Sequence, residues 1–141
     1  MKFWIGDPCY HPMFKDYDVW MDLLTKTDYF ENGGQVVTFE GRQIAAISTK
    51  YGDGTYASNK GYLFPVDAGL IGFVEYKEGD DTDQGLTTLV DFGGLPTIEI
   101  DQQGTICIAG PQNVIYIYTG DDYDYGVQED QEIEYDDEDL Y

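Results

Sequence analysis

Basic residues are scarce in this sequence. Seven Lys and Arg residues stand against 28 Asp and Glu residues, which gives a formal net charge of −21 at pH 7. A charge this negative repels the phosphates of nucleic acid and the surface of anionic membranes, so we expect the chain to bind neither directly. The composition favours a basic protein as partner, a bound cation, or a role in solubility alone.

Cysteine and histidine are also rare, and long apolar runs are absent. Cys9 and Cys107 are too few for a disulfide framework, and His11 is the single histidine. No run approaches the ~18 apolar residues of a membrane span, and the residues after Met1 lack the apolar region of a signal peptide. We therefore expect a protein of the reducing cytoplasm, which would be that of a bacterial host if a phage encodes the chain.

The acidic residues are unevenly distributed along the 141 residues, a length typical of one domain. Residues 120–141 hold eleven of the 28 and contain no Lys or Arg, so this segment carries about half of the net charge. Such a segment is disordered by default. The sequence predicts a β-rich globular domain over residues 1–119 and an acidic, flexible tail over residues 120–141.

Strand-like patterns dominate the domain, and one helix precedes most of them. Tyr17, Trp20, Leu23 and Leu24 share one face of a helix predicted over residues 16–26. Alternating patterns and Gly-containing turns predict about nine short strands, at residues 2–5, 35–40, 43–49, 61–66, 70–77, 86–92, 97–101, 105–109 and 113–119. The expected fold is mainly β (β-rich α+β), an antiparallel sandwich or partly open barrel with one N-terminal helix and an acidic C-terminal tail.

The segment WIGDPCYHP at residues 4–12 is the first candidate site. Asp7, Cys9 and His11 alternate there, and their side chains are all possible zinc ligands. A complete site needs a further ligand, and no second His or Cys-x-x-Cys motif provides one. The two prolines favour the alternative of a structural turn that leaves the first strand.

Two further aspartates lie in Gly-rich turns. Asp53, in KYGDGTY (50–56), could bind a cation or a sugar hydroxyl, although Asp-Gly is also an ordinary hairpin signal. Asp67, in VDAGLIG (66–72), could cap the donors of its own turn. If Asp7, Asp53 and Asp67 share one end of the sandwich, their carboxylates could hold Ca²⁺ or Mg²⁺.

The C-terminal segment is the second kind of candidate, a protein-binding site. Its carboxylates could imitate nucleic-acid phosphate and occupy a basic groove, and its tyrosines could anchor the contact. The alternative is a purely solubilising role. The residues expected to bind the partner are Asp121, Asp122, Tyr123, Asp124, Tyr125, Glu129, Asp130, Glu132, Glu134, Tyr135, Asp136, Asp137, Glu138 and Asp139.

The motifs GDPCY (6–10), TKYGDGTY (49–56) and VDAGLIG (66–72), together with Trp20, resemble a family of small, mostly uncharacterised proteins of bacteriophages and bacteria. The resemblance covers about residues 2–74. It implies a compact β-rich domain of phage or bacterial origin. It implies no catalytic residue, because the family has no activity to carry over.

The leading functional hypothesis is a non-enzymatic phage-type accessory protein. Its acidic surface and tail would bind a basic site on a host nucleic-acid-binding or defence protein, by nucleic-acid mimicry, as an anti-defence or host-takeover inhibitor. No cofactor is expected. The alternative is a small ligand- or metal-binding domain, or a hydrolase, that uses Asp7, Cys9, His11, Asp53 and Asp67. A virion component is a third hypothesis.

Overall fold

In the computed structural model, the described residues 1–80 and 86–120 form ten strands and one α-helix. Two short 3₁₀ turns, Pro8–Tyr10 and Pro12–Phe14, connect the first strand to the helix. The elements are β1 (Lys2–Gly6), α1 (Tyr17–Lys26), β2 (Val37–Phe39), β3 (Arg42–Ser48), β4 (Gly54–Ala57), β5 (Leu63–Val66), β6 (Leu70–Glu75), β7 (Thr88–Asp91), β8 (Thr97–Ile100), β9 (Thr105–Ala109) and β10 (Val114–Tyr118).

The strands form two antiparallel layers. The first layer is a five-stranded sheet in the order β2-β3-β6-β1-β7. The second layer consists of the β10-β9-β8 sheet and the β4-β5 hairpin, which meet at a bridge between Ser58 and Ile117. These sheets do not close into a barrel, so the β-rich α+β fold is confirmed in its sandwich form.

The core between the layers follows from the alternation of residues along each strand. In β10, Ile115 and Ile117 are buried whereas Tyr116 and Tyr118 are exposed, because successive side chains point to opposite faces. Phe3 and Phe73 of the first layer pack edge to face, with ring centroids 5.0 Å apart. The inward positions of both layers therefore form one contiguous apolar cluster.

A second apolar cluster covers the opposite face of the five-stranded sheet. Leu23 and Leu24 of α1 pack there against a group that includes Ile44 and Val74. Because both faces of the sheet are covered, the first five residues of β6 are all buried. The first layer is therefore the middle of three, between α1 and the second layer.

The structure corrects two predictions about these elements, the burial of Tyr17 and the number of strands. Asp16 caps α1 at the start of the predicted helix, since its Oδ1 accepts from the backbone N–H groups of Asp18 (3.0 Å) and Val19 (3.4 Å). Tyr17 was expected on the buried face, but its side chain is 71% exposed. Strand β4 was missed, because Gly52 and Asp53 precede it and Gly54 begins it, a pattern that indicates a turn. The predicted tail lies outside the described residues from residue 121 onward.

Candidate functional site

The Asp7 carboxylate joins the exit of β1 to the turn before β6. Its Oδ1 accepts a hydrogen bond from the backbone N–H of Cys9 (3.0 Å). Its Oδ2 accepts from the backbone N–H groups of Asp67 (2.8 Å) and Ala68 (2.7 Å). The residue is fully buried, and a buried carboxylate requires such donors. Asp7 is therefore engaged in bracing two turns.

The Cys9 thiol is held in its protonated form. Burial, the adjacent Asp7 charge and a hydrogen bond with that carboxylate raise the pKa of Cys9 far above its ordinary value. The thiolate is the nucleophile and the metal ligand, whereas the thiol is neither. At neutral pH, Cys9 contributes a weak donor to the turn and lacks the reactive form that catalysis requires.

Asp53 and Asp67 are exposed at the same end of the molecule. A Cβ atom built on Gly69, two residues after Asp67, would lie 3.8 Å from Oδ1 of Asp53. The pKa of Tyr10 is raised by burial and then by Cys9, Asp67, Asp7 and Asp53, in that order. The three loop aspartates therefore lie close enough to Tyr10 to raise the pKa of its hydroxyl. The carboxylate of Asp7 is nevertheless directed at backbone donors and not at the other two carboxylates.

The TKYGDGTY segment (49–56) forms a turn through its own side chains. The carbonyl of Gly52 accepts hydrogen bonds from the Thr49 hydroxyl (2.6 Å) and the Tyr56 hydroxyl (2.9 Å). Gly52 has φ of +79°, a conformation that favours glycine. The motif's Thr, Gly and Tyr are thus explained by local structure, and Asp53 lies exposed within that turn.

His11 belongs to a different cluster from Asp7 and Cys9. Its Nδ1 accepts from the backbone N–H of Met13 (3.2 Å), which leaves the proton of the neutral ring on Nε2. Nε2 faces Oδ2 of Asp80 at 3.6 Å. Burial lowers the pKa of His11; Asp80 opposes this effect and Arg42 reinforces it. The ring is therefore neutral at pH 7.

Asp80 is the centre of this second cluster, which sequence reasoning missed. Arg42, the single arginine, binds its carboxylate in a bidentate manner at 2.7 and 2.8 Å. Trp4 Nε1 (3.0 Å) and the backbone N–H of Lys77 (2.9 Å) also donate to it. Burial raises the pKa of Asp80, but these donors outweigh it and lower the pKa well below its usual range. The network fixes the loop after β6 onto the sheet.

Asp7 and Cys9 thus belong to one structural network and His11 to another, whereas the carboxylates of Asp53 and Asp67 are exposed. Within residues 1–80 and 86–120, no group of three or more His, Cys, Asp and Glu side chains is placed to hold a metal ion. In the same part of the chain, no helix combines the length and the apolar character needed to cross a membrane.

The surface of the described chain carries more acidic than basic groups. All six lysines are exposed. The exposed carboxylates are twice as many and belong to Asp16, Asp18, Asp22, Asp28, Glu31, Glu40, Asp53, Asp67, Glu78, Asp91, Glu99 and Asp101. The fourteen predicted partner-binding residues between Asp121 and Asp139 lie outside the described residues.

Comparisons with known proteins give no relative from which a role could be transferred. No family model matches the chain, and no curated protein and no solved structure shows significant similarity to it. The resemblance of residues 2–74 to the phage and bacterial family therefore stays a prediction.

Proposed function

We propose that this chain is a non-enzymatic accessory protein of phage type that binds a basic site on a host protein. Its acidic surface and its C-terminal residues 121–139 would occupy a groove that otherwise holds nucleic-acid phosphate. The partner would be a nucleic-acid-binding or defence protein of the bacterial host, which the chain would inhibit by competition with nucleic acid.

The charge distribution carries this proposal. The net charge is −21, and the exposed carboxylates of the described domain outnumber its exposed lysines by two to one. The eleven further carboxylates of residues 121–139 have no lysine or arginine among them. Such a distribution attracts a basic partner from a distance and accelerates encounter, and salt screens the attraction beyond about 8 Å at physiological ionic strength.

The two structural networks support a binding role over a catalytic one. The five residues first considered as a ligand site include Asp7, whose oxygens accept three backbone donors, and Cys9, whose thiol is protonated at neutral pH. His11 faces Asp80, which Arg42 already neutralises. The exposed carboxylates, by contrast, lie at the surface, where an external cation-bearing surface can approach them.

A pull-down from bacterial lysate tests the proposal. The bait is the full chain, washed at about 0.05 M and about 0.5 M salt, where the screening lengths differ severalfold. The matched control keeps the length and the tyrosines of residues 121–139 but replaces their eleven carboxylates with the corresponding amides. We expect basic proteins to be retained by the native chain at low salt, and lost at high salt and with the amide control.

Three outcomes would contradict the proposal. Retention of the same proteins by the amide control would show that the carboxylates are not the binding groups. A large homo-oligomer on size-exclusion chromatography would favour the virion component. A thermal shift with Zn²⁺, Ca²⁺ or Mg²⁺ that disappears in Asp53→Ala would favour the ligand-binding domain.

A further inference from the structure

The connection between α1 and β2 leaves the helix through a left-handed stretch of backbone. Asp28, Tyr29 and Phe30 have φ of +53°, +58° and +57°, a region that residues other than glycine rarely adopt. The side chain of Phe30 is buried in the apolar cluster beneath α1 and holds this turn on the sheet. The chain then returns to the surface, where Asn32 and Gly33 are both exposed.

The packing of this turn requires glycine at position 33. A Cβ atom built on Gly33 would lie 2.4 Å from Cγ1 of Ile47 in β3, which is too close for any side chain. The next residue, Gly34, has φ of +91°, and its Cβ would lie 3.0 Å from the carbonyl oxygen of Ile98 in β8. The turn therefore packs against one strand of each layer.

The same glycine leaves the side chain of Asn32 open to attack. Asparagine is a thermolabile residue, and its deamidation starts when the backbone nitrogen of the following residue attacks the side-chain amide carbon, a ring closure within one chain. A side chain on the following residue hinders this approach, and glycine has none. Within the described residues, neither the Asn32 amide nor the Gly33 N–H makes a hydrogen bond that would restrain it.

The other two asparagines of the sequence are restrained. Oδ1 of Asn59 accepts a hydrogen bond from the backbone N–H of Tyr116 (3.0 Å), and a lysine follows Asn59 in the chain. Nδ2 of Asn113 donates to the backbone carbonyl of Asp91 (3.3 Å), and a β-branched valine follows it. Both residues are therefore internal controls for Asn32.

We propose that Asn32 is a modification site, at which the protein deamidates spontaneously as it ages. The Gly33 nitrogen forms a bond to Cγ of Asn32 and gives up its proton, while the Cγ–Nδ2 bond breaks and ammonia leaves with that proton. Water then opens the resulting succinimide at either carbonyl, which gives aspartate or isoaspartate at position 32. Each product carries one more negative charge than asparagine at neutral pH.

The isoaspartate product also changes the backbone. It routes the chain through the side-chain carbons and so adds one backbone atom directly before Gly33, which contacts Ile47 without room for another carbon. We therefore expect the turn to move away from β3 and β8, and its amide protons to exchange faster. Aspartate at the same exposed position leaves the backbone unchanged and should have little effect on stability.

Peptide mapping of the full chain by mass spectrometry tests the site. Trypsin places the three asparagines in separate peptides, residues 27–42, 51–60 and 78–141. After incubation at neutral pH, we expect Asn32 to have converted at least about tenfold faster than Asn59 and Asn113, a difference of about 1.4 kcal/mol in activation free energy. The rate should rise with pH, because the attacking nitrogen must lose its proton. A synthetic peptide of residues 27–42 should convert at a similar rate.

Two variants separate the reaction from its consequence. Asn32→Gln should suppress the conversion, since its longer side chain must close a larger ring. Freshly purified Asn32→Asp supplies the added charge without the added backbone atom. The isoaspartyl form, isolated by chromatography, should unfold at a lower urea concentration than both the native chain and Asn32→Asp.

Three results would overturn the inference. Conversion of all three asparagines at one rate would show that the turn does not favour the reaction. An intact Asn32 in the folded chain, under conditions that convert the synthetic peptide, would show that the fold protects this residue. An isoaspartyl form with the urea midpoint and the hydrogen exchange of the native chain would show that the turn accommodates the longer backbone.

Discussion

Replacement of Asp7 by alanine is the sharpest test of the turn network. The change removes the acceptor of three backbone hydrogen bonds, from Cys9, Asp67 and Ala68, at lengths of 2.7 to 3.0 Å. Hydrogen bonds to a charged group contribute about 1.5–3 kcal/mol each when buried. Asp67 and Ala68 lie at the surface, so water can replace part of the loss. We therefore expect the free energy of unfolding to fall by about 3 kcal/mol.

Urea denaturation followed by tryptophan fluorescence measures this loss. Asp7→Asn should cost less, about 1–2 kcal/mol, because its single carbonyl oxygen can still accept from the Asp67 and Ala68 donors. The matched controls are Asp53→Ala and Asp67→Ala, which remove exposed carboxylates at the same end of the molecule and should change stability by less than about 0.5 kcal/mol. Equal effects of Asp7→Ala and Asp53→Ala would refute the bracing role.

Two further predictions concern buried positions. Burial lowers the pKa of His11 in the folded protein, so the unfolded chain binds a proton more readily than the folded chain does. The free energy of unfolding should therefore stay constant above about pH 6.5, the ordinary pKa of histidine, and fall below it by at most about 1.4 kcal/mol per pH unit. Urea denaturation at pH 7.5 and 5.5 should show this loss of unfolding free energy in the native chain and a smaller loss in His11→Gln. An equal loss in both proteins would contradict the lowered pKa of His11. Gly72→Ala would place a Cβ atom against the Ala45 carbonyl oxygen, so we expect a loss of at least about 2 kcal/mol in urea. A change within experimental error would show that β3 and β6 can separate to accommodate it.

The strands of the β10-β9-β8 sheet were predictable because their signal is local. Residues 115–118 alternate Ile with Tyr, and the structure buries Ile115 and Ile117 as that period requires. The start of α1 was also predictable, since Asp16 bonds to residues only two and three positions ahead. In both cases the relevant neighbours in the sequence are neighbours in space.

The pairing of polar groups could not be predicted, because it depends on the register of the first layer. Arg42 begins β3 and Asp80 follows β6, so 38 residues separate two side chains that form a bidentate pair. His11 was grouped with Asp7 and Cys9 because of their spacing. The 3₁₀ turns before and after His11 direct its ring to Asp80 instead. No local pattern encodes that direction.

The interior position of β1, between β6 and β7, has a consequence for folding during synthesis. Its residues are translated before those of its partner strands, since Ile5 pairs with Phe73 and Phe3 pairs with Val90. At roughly 5–20 residues per second, the ribosome needs on the order of ten seconds to supply these partners. The apolar side chains of β1 are therefore unpaired until β6 and β7 have been synthesised. Strands β8, β9 and β10 are consecutive, so they can pair with one another as soon as they leave the ribosome. Such long-range pairing slows folding, so we expect β1 to reach its place in the sheet later than the locally paired strands β8, β9 and β10.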